Sequence, residues 1–135
     1  MNPLGLVAAI TTFLAVWTGH VAVRKIEFVS PTIWKPATVF AVSGILLEAL
    51  SLSGVNRPLS MVLGITGITL AWDALEFIRQ QKRVIMGHAP ANPNNPRHLK
   101  IMAEHNSATT FDLLKREPIG RPASLEEAVN VGEHH

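Results

Sequence analysis

Three long apolar segments follow one another in the first part of the chain, with short polar segments between them. They cover residues 3–23, 36–55 and 58–77, and the polar connections lie at 24–35 and around 55–58. About 20 apolar residues form a helix long enough to cross a hydrocarbon core of ~30 Å. Helices of soluble proteins are usually shorter and carry a polar face. The pattern therefore predicts an all-α membrane protein with three transmembrane helices.

The third apolar segment runs directly into a basic sequence, LAWDALEFIRQQKRV, at residues 70–84. We predict that its helix continues to about residue 84, because the backbone hydrogen bonds of a helix are internal and need no change at the membrane surface. This gives a transmembrane domain at 1–84 and a polar tail at 85–135.

The tail is predicted to be mostly irregular with short helices. Its Pro- and Asn-rich start, residues 88–98, is typical of an extended spacer in polyproline geometry. We expect short helices at about 97–105, after a cap at Ser107, and after the capping-box pair Ser124 and Glu127.

Lys and Arg are distributed unevenly over the two sides that three spans would create. The side of the N-terminus carries Arg57, whereas the other side carries Arg24, Lys25, Lys35, Arg79, Lys82 and Arg83. The positive-inside rule then predicts an N-terminus outside and a cytoplasmic tail, and Trp17, Trp34 and Trp72 fall near the same cytoplasmic interface. No basic residue precedes the first segment, so we expect a retained helix and not a signal peptide.

The amino-acid composition excludes several classes of function for this chain. The chain has no Cys, which excludes disulfides and thiol chemistry, and its net charge of +2 comes without a basic stripe interleaved with aromatics, so no nucleic-acid partner is predicted. The sequence has no phosphate-binding loop, nucleophile–base set or paired haem ligands. We therefore expect no enzymatic activity, no cofactor and no metal site, while a bound lipid or quinone stays open.

Four ionisable residues lie inside the predicted spans, where burial of a charge costs about 2.5–3.5 kcal/mol. They are His20, Glu48, Asp73 and Glu76. His20 and Asp73 have similar depth, so they either pair between helices or each reach the interface. Glu48 has apolar neighbours. It is either protonated, paired with a group of another chain, or close enough to the outer interface to contact water. Asp73 and Glu76 share a helix face with Gln80 and Arg83, which forms either a salt-bridge ladder or a docking face.

The segment from Trp72 onward resembles the exit motif of a family of small bacterial membrane proteins catalogued only as a domain of unknown function. The resemblance extends over roughly residues 6–93 and rests on His20, Lys25, Glu27, Trp72, Glu76, Gln81, Lys82, Arg83, Val84, Gly87, Pro90, Asn92 and Pro93. It implies a three-helix core in the bacterial inner membrane and carries no activity. We take the motif residues as docking candidates, namely Trp72, Gln81, Lys82, Arg83, Gly87, Asn92 and Pro93.

Two functions are consistent with these patterns. The first is a non-catalytic accessory or structural subunit that docks on a larger membrane complex, with lipids and other membrane subunits as partners and its tail along the cytoplasmic face. The alternative is a small oligomeric transporter of ions, protons or solutes that uses the intramembrane carboxylates.

Overall fold

The computed structural model describes residues 3–115, and in that range the protein is helical without strands. Four α-helices follow in order: α1 (Leu4–Val29), α2 (Trp34–Ser51), α3 (Arg57–Ile85) and α4 (Pro96–Glu104), after which Leu113–Lys115 forms a 3₁₀ turn. The chain packs into two compact units, Met1–Arg79 and Gln80–His135. The division falls inside α3, ahead of the domain boundary predicted at residue 84.

The first helix extends beyond its predicted apolar segment. The prediction of a polar loop at 24–35 is wrong, because Arg24, Lys25 and Glu27 lie in α1 and the connection to α2 is limited to residues 30–33. The helix ends at Ser30, whose backbone is extended (φ −75°, ψ 128°). Ser30 precedes Pro31, and the proline ring disfavours helical geometry at the residue before it.

Two helices are long and apolar enough to cross a membrane, α1 with 26 residues and α3 with 29. The second helix, α2, has 18 residues and is not among them. The predicted second span at 36–55 is therefore shorter as a helix, because α2 ends at Ser51 and Gly54 adopts a left-handed turn conformation (φ 84°). The first turn of α2 also contains Lys35, which lowers the apolar character of the helix.

The helices of the first unit contact one another through one apolar cluster and two glycine crossings. Val23 and Phe77 belong to the cluster together with Ile33 and Ala37. At the α2–α3 crossing, a Cβ on Gly44 would lie 2.6 Å from the carbonyl oxygen of Gly67. Gly44 and Gly67 thus allow the backbones of α2 and α3 to meet.

The second unit has its own small core of Val84, Ala89, Ala91, Ile101 and Ala108. The prediction of a polyproline spacer at 88–98 is wrong, because Ala89 and Ala91 are buried and the amide of Ala91 donates to the carbonyl of Thr109 at 2.8 Å. Short alanine side chains let two stretches of backbone approach and pair. Composition gives no sign of this, since the contact depends on a segment distant in sequence.

The short helix predicted at 97–105 is confirmed as α4, whose first residue is Pro96 and whose cap is Asn95. The side-chain oxygen of Asn95 accepts from the amide of Arg97 at 3.0 Å. The helix predicted after Ser107 is wrong for the residues described, because the Ser107 hydroxyl donates to the carbonyl of Ile85 instead of capping a helix. The helix predicted after Ser124 lies outside the described residues.

Candidate functional site

Three carboxylates are buried at one end of the first unit, where α1 and α3 contact each other. Asp73 and Glu76 of α3 are 1% and 5% exposed, and Glu27 of α1 is 1% exposed. The sequence does not mark Glu27 as a candidate site residue. It lies on one helix face with Gly19 and Val23, since these buried positions of α1 recur every four residues, but that burial is visible only in the structure.

Asp73 lies directly against the backbone of α1 at Gly19. A Cβ on Gly19 would collide with Oδ2 and Cγ of the Asp73 carboxylate, so only glycine allows this approach. With Val23 and Phe77 in one cluster, the pairs Gly19–Asp73 and Val23–Phe77 advance by four residues on both helices. The two helices are therefore parallel along this contact.

His20 follows Gly19 in α1 but has an exposed side chain. It lies close enough to act electrostatically on Asp73, as does Glu76. The Oδ2 atom of Asp73 is buried and has no hydrogen-bond partner in the part of the chain that the structure describes. The structure thus puts His20 within electrostatic range of Asp73, with no hydrogen bond from it to this oxygen.

Glu76 forms an ion pair along α3 with Arg79, at 3.4 Å between Oε2 and Nη1. The guanidinium of Arg79 also stacks over the Trp72 ring, with Cζ 4.5 Å from the ring centroid. Trp72 is exposed. The three side chains form a ladder on the surface of α3 in which a buried acid is covered by an exposed cation.

Glu48 lies far from this cluster in sequence, on the helix face of α2 that contacts α3. Its Oε2 would be 3.8 Å from a Cβ on Gly64, and its Cγ 3.2 Å from a Cβ on Gly67. The side chain is half-buried. The Glu48 side chain therefore packs against α3 at Gly64 and Gly67.

The exit-motif residues of the second unit form the turn that ends α3. Met86, Gly87 and His88 donate backbone hydrogen bonds to Lys82, Val84 and Arg83, in the pattern of a Schellman C-cap, and Gly87 has the left-handed φ of 72° that this cap requires. Arg83 is exposed and donates from Nη1 to Oε1 of the buried Gln80 at 3.0 Å. Lys82 is exposed and Gln81 is half-buried.

Asn92 organises the turn before α4. Its amide donates to Nδ1 of His98 at 2.8 Å, its side-chain oxygen accepts from the amide of Asn94 at 2.9 Å, and Pro93 stays exposed. His98 is fully buried, so its ring supports the fold. Among the described residues, no group of three His, Asp or Glu side chains is arranged to hold a metal ion.

A scan against models of protein families assigns residues 2–95 to a domain of unknown function, DUF4491. The matched range contains the buried carboxylates, the Arg79–Trp72 stack and the exit motif up to Asn95. No curated protein and no solved structure matches the chain. The resemblance deduced from the exit motif is thereby confirmed, and the chain belongs to the family described as "Domain of unknown function (DUF4491)".

Proposed function

We propose that the protein is a small integral membrane protein whose apolar helix surface docks on a larger membrane complex as a non-catalytic subunit. The observation that carries the proposal is the exposed surface of α1. Its buried residues are Gly19, Val23 and Glu27, so in the part of the chain that the structure describes no residue of its first half is fully buried. Large apolar side chains between residues 6 and 17 are exposed, namely Leu6, Ile10, Phe13, Leu14 and Trp17.

Membrane insertion is supported by the same surface. Only 11% of the apolar window of α1 and 28% of that of α3 is buried, whereas a core helix of a soluble protein would be mostly buried. We propose α2 as a third crossing, because its 18 residues extend about 27 Å and Trp34 stands at its inner end. The distribution of Lys and Arg favours an N-terminus outside and a tail on the cytoplasmic side of the inner membrane.

Docking is supported by the spacing of the exposed residues on α1. Leu6, Ile10, Phe13 and Trp17 follow one another at intervals of four, three and four residues, so they lie along one face. Because lipid tails are as apolar as these side chains, the hydrophobic effect does not drive helices together inside a bilayer. Close packing against a helix of another subunit is the interaction that would hold this face to a complex.

Site-specific photocrosslinking tests this proposal. A benzophenone amino acid replaces Phe13 on the exposed face, and Phe111 in the second unit is the matched control. We expect the Phe13 variant to give one stoichiometric adduct with a different membrane protein, and native mass spectrometry of the gently purified complex to contain the same protein. Adducts of the Phe13 variant with lipid alone would show that docking is wrong.

A small oligomeric transporter is the second candidate. It is supported by Asp73, whose Oδ2 is buried and has no hydrogen-bond partner within residues 3–115, and by Glu48, which lies on the α2–α3 contact. This function predicts adducts between copies of the chain and a proton or cation flux in proteoliposomes. The flux should fall when Glu48→Gln or Asp73→Asn removes one carboxylate.

A further inference from the structure

Charge is segregated at the end of the first unit that contains the Val23–Phe77 cluster. The carboxylates at this end, Glu27, Asp73 and Glu76, are all buried. The cations are all exposed, and we call them the basic end: Arg24, Lys25, Lys35 and Arg79. Because the acids face inward, the surface at the basic end presents positive charge to whatever surrounds the helices.

Three cations of this surface, Lys25, Lys35 and Arg79, lie beside apolar or aromatic side chains. Val21 and Val39 lie one helical turn from Lys25 and Lys35, on the span side of each lysine, and both valines are exposed. Trp34 is 68% exposed beside Lys35, and Trp72 is 51% exposed under the guanidinium of Arg79. A ligand that matches this surface has an anionic head and an apolar chain.

We propose that the basic end binds the headgroups of anionic phospholipids, with the acyl chains along the valines and tryptophans. The inference rests on the membrane location proposed above. A phospholipid fits both parts of the surface, whereas a free phosphate would leave the apolar part exposed. Each Lys or Arg near an anionic leaflet contributes about 1 kcal/mol, which is roughly a fivefold change in binding.

Quenching of tryptophan fluorescence by brominated lipids tests the proposal on the full chain in vesicles. Phosphatidylcholine is the host lipid, and brominated phosphatidylglycerol or brominated phosphatidylcholine is the quencher. We expect half-maximal quenching of the wild type at a mole fraction of brominated phosphatidylglycerol at least about fivefold below that of brominated phosphatidylcholine.

The test variant combines Arg24→Gln, Lys25→Gln and Lys35→Gln, which are exposed positions outside the apolar cluster. It should bring the two mole fractions within about twofold. Arg57→Gln is the matched control, since it removes one exposed cation from the start of α3, and it should retain the preference. A second triple variant, Arg24→Lys with Lys25→Arg and Lys35→Arg, keeps the charges and should also retain it.

The remaining outcomes separate this inference from the membrane proposal. Equal quenching by both brominated lipids in the wild type would overturn the lipid site while showing that the helices are inserted. Absence of quenching by either lipid would overturn both proposals. A loss in Arg57→Gln as large as in the triple glutamine variant would also overturn the site, because a cation outside the basic end would then matter as much as three cations within it.

Discussion

Gly19 and Asp73 are matched in size across the contact of α1 and α3. The carboxylate occupies the space that a Cβ on residue 19 would need, and its Oδ2 is left without a hydrogen bond among the described residues. From the sequence, His20 and Asp73 are neighbours in depth, but the partner of Asp73 in the structure is the backbone at Gly19. Glycine has no side chain and adds nothing to a hydrophobic periodicity, so the sequence did not predict the contact of Gly19 with Asp73.

Gly19→Ala should lower the free energy of unfolding in detergent by about 1–3 kcal/mol, the usual range for overpacking a close contact. The physical reason is that the buried Asp73 carboxylate has to move away from the new methyl group. An SDS titration followed by circular dichroism measures the change.

Gly5→Ala is the control for the Gly19 variant, because nothing lies within 4 Å of a Cβ at residue 5. It should not lower the stability, since alanine favours helix. The double variant Gly19→Ala with Asp73→Ala should lose less than the sum of the single changes. Additive losses would contradict the assigned contact.

At the scale of helices, the lengths of the apolar segments predicted the positions of the helices more accurately than their ends. The third helix runs through Val84 to Ile85, close to the predicted end. α1 instead continues past its apolar segment to Val29, because its end is decided by Pro31 and not by polarity. The end of α3 is decided by Gly87, a residue that the sequence marked only as part of a motif.

Gly87→Ala should destabilise the second unit more than Gly54→Ala destabilises the first. Both glycines have positive φ, which costs an L-residue roughly 1–2 kcal/mol. At Gly87 the new Cβ would also collide with the backbone carbonyl of Ser107, whereas nothing lies near Gly54. Amide hydrogen exchange measures the local stability, at Ala91 for the second unit and at Leu52 for the first, and equal effects of the two variants would argue against the C-cap assignment.

At the scale of the whole molecule, the distribution of charge predicts one topology for the proposed membrane protein. The chain lacks cysteine, so each single-cysteine variant carries one thiol. Ser53 and Thr110 are exposed, one in the turn after α2 and one in the second unit.

Ser53→Cys should react with a membrane-impermeant maleimide added to intact cells, whereas Thr110→Cys should react only after permeabilisation. The reason is that the basic residues hold their side in the cytoplasm. Labelling of both variants to the same extent in intact cells would contradict the topology.

The sequence by itself determined the helical class, the approximate position of three apolar helices, the short helix α4 and the family. These properties depend on local periodicity, on caps such as Asn95 and on the residues of the exit motif. The tertiary structure alone decided that Glu27 is buried, that Gly19 holds Asp73 and that Ala91 pairs with Thr109. Each of these joins residues distant in the chain, and no local pattern reports which segments meet.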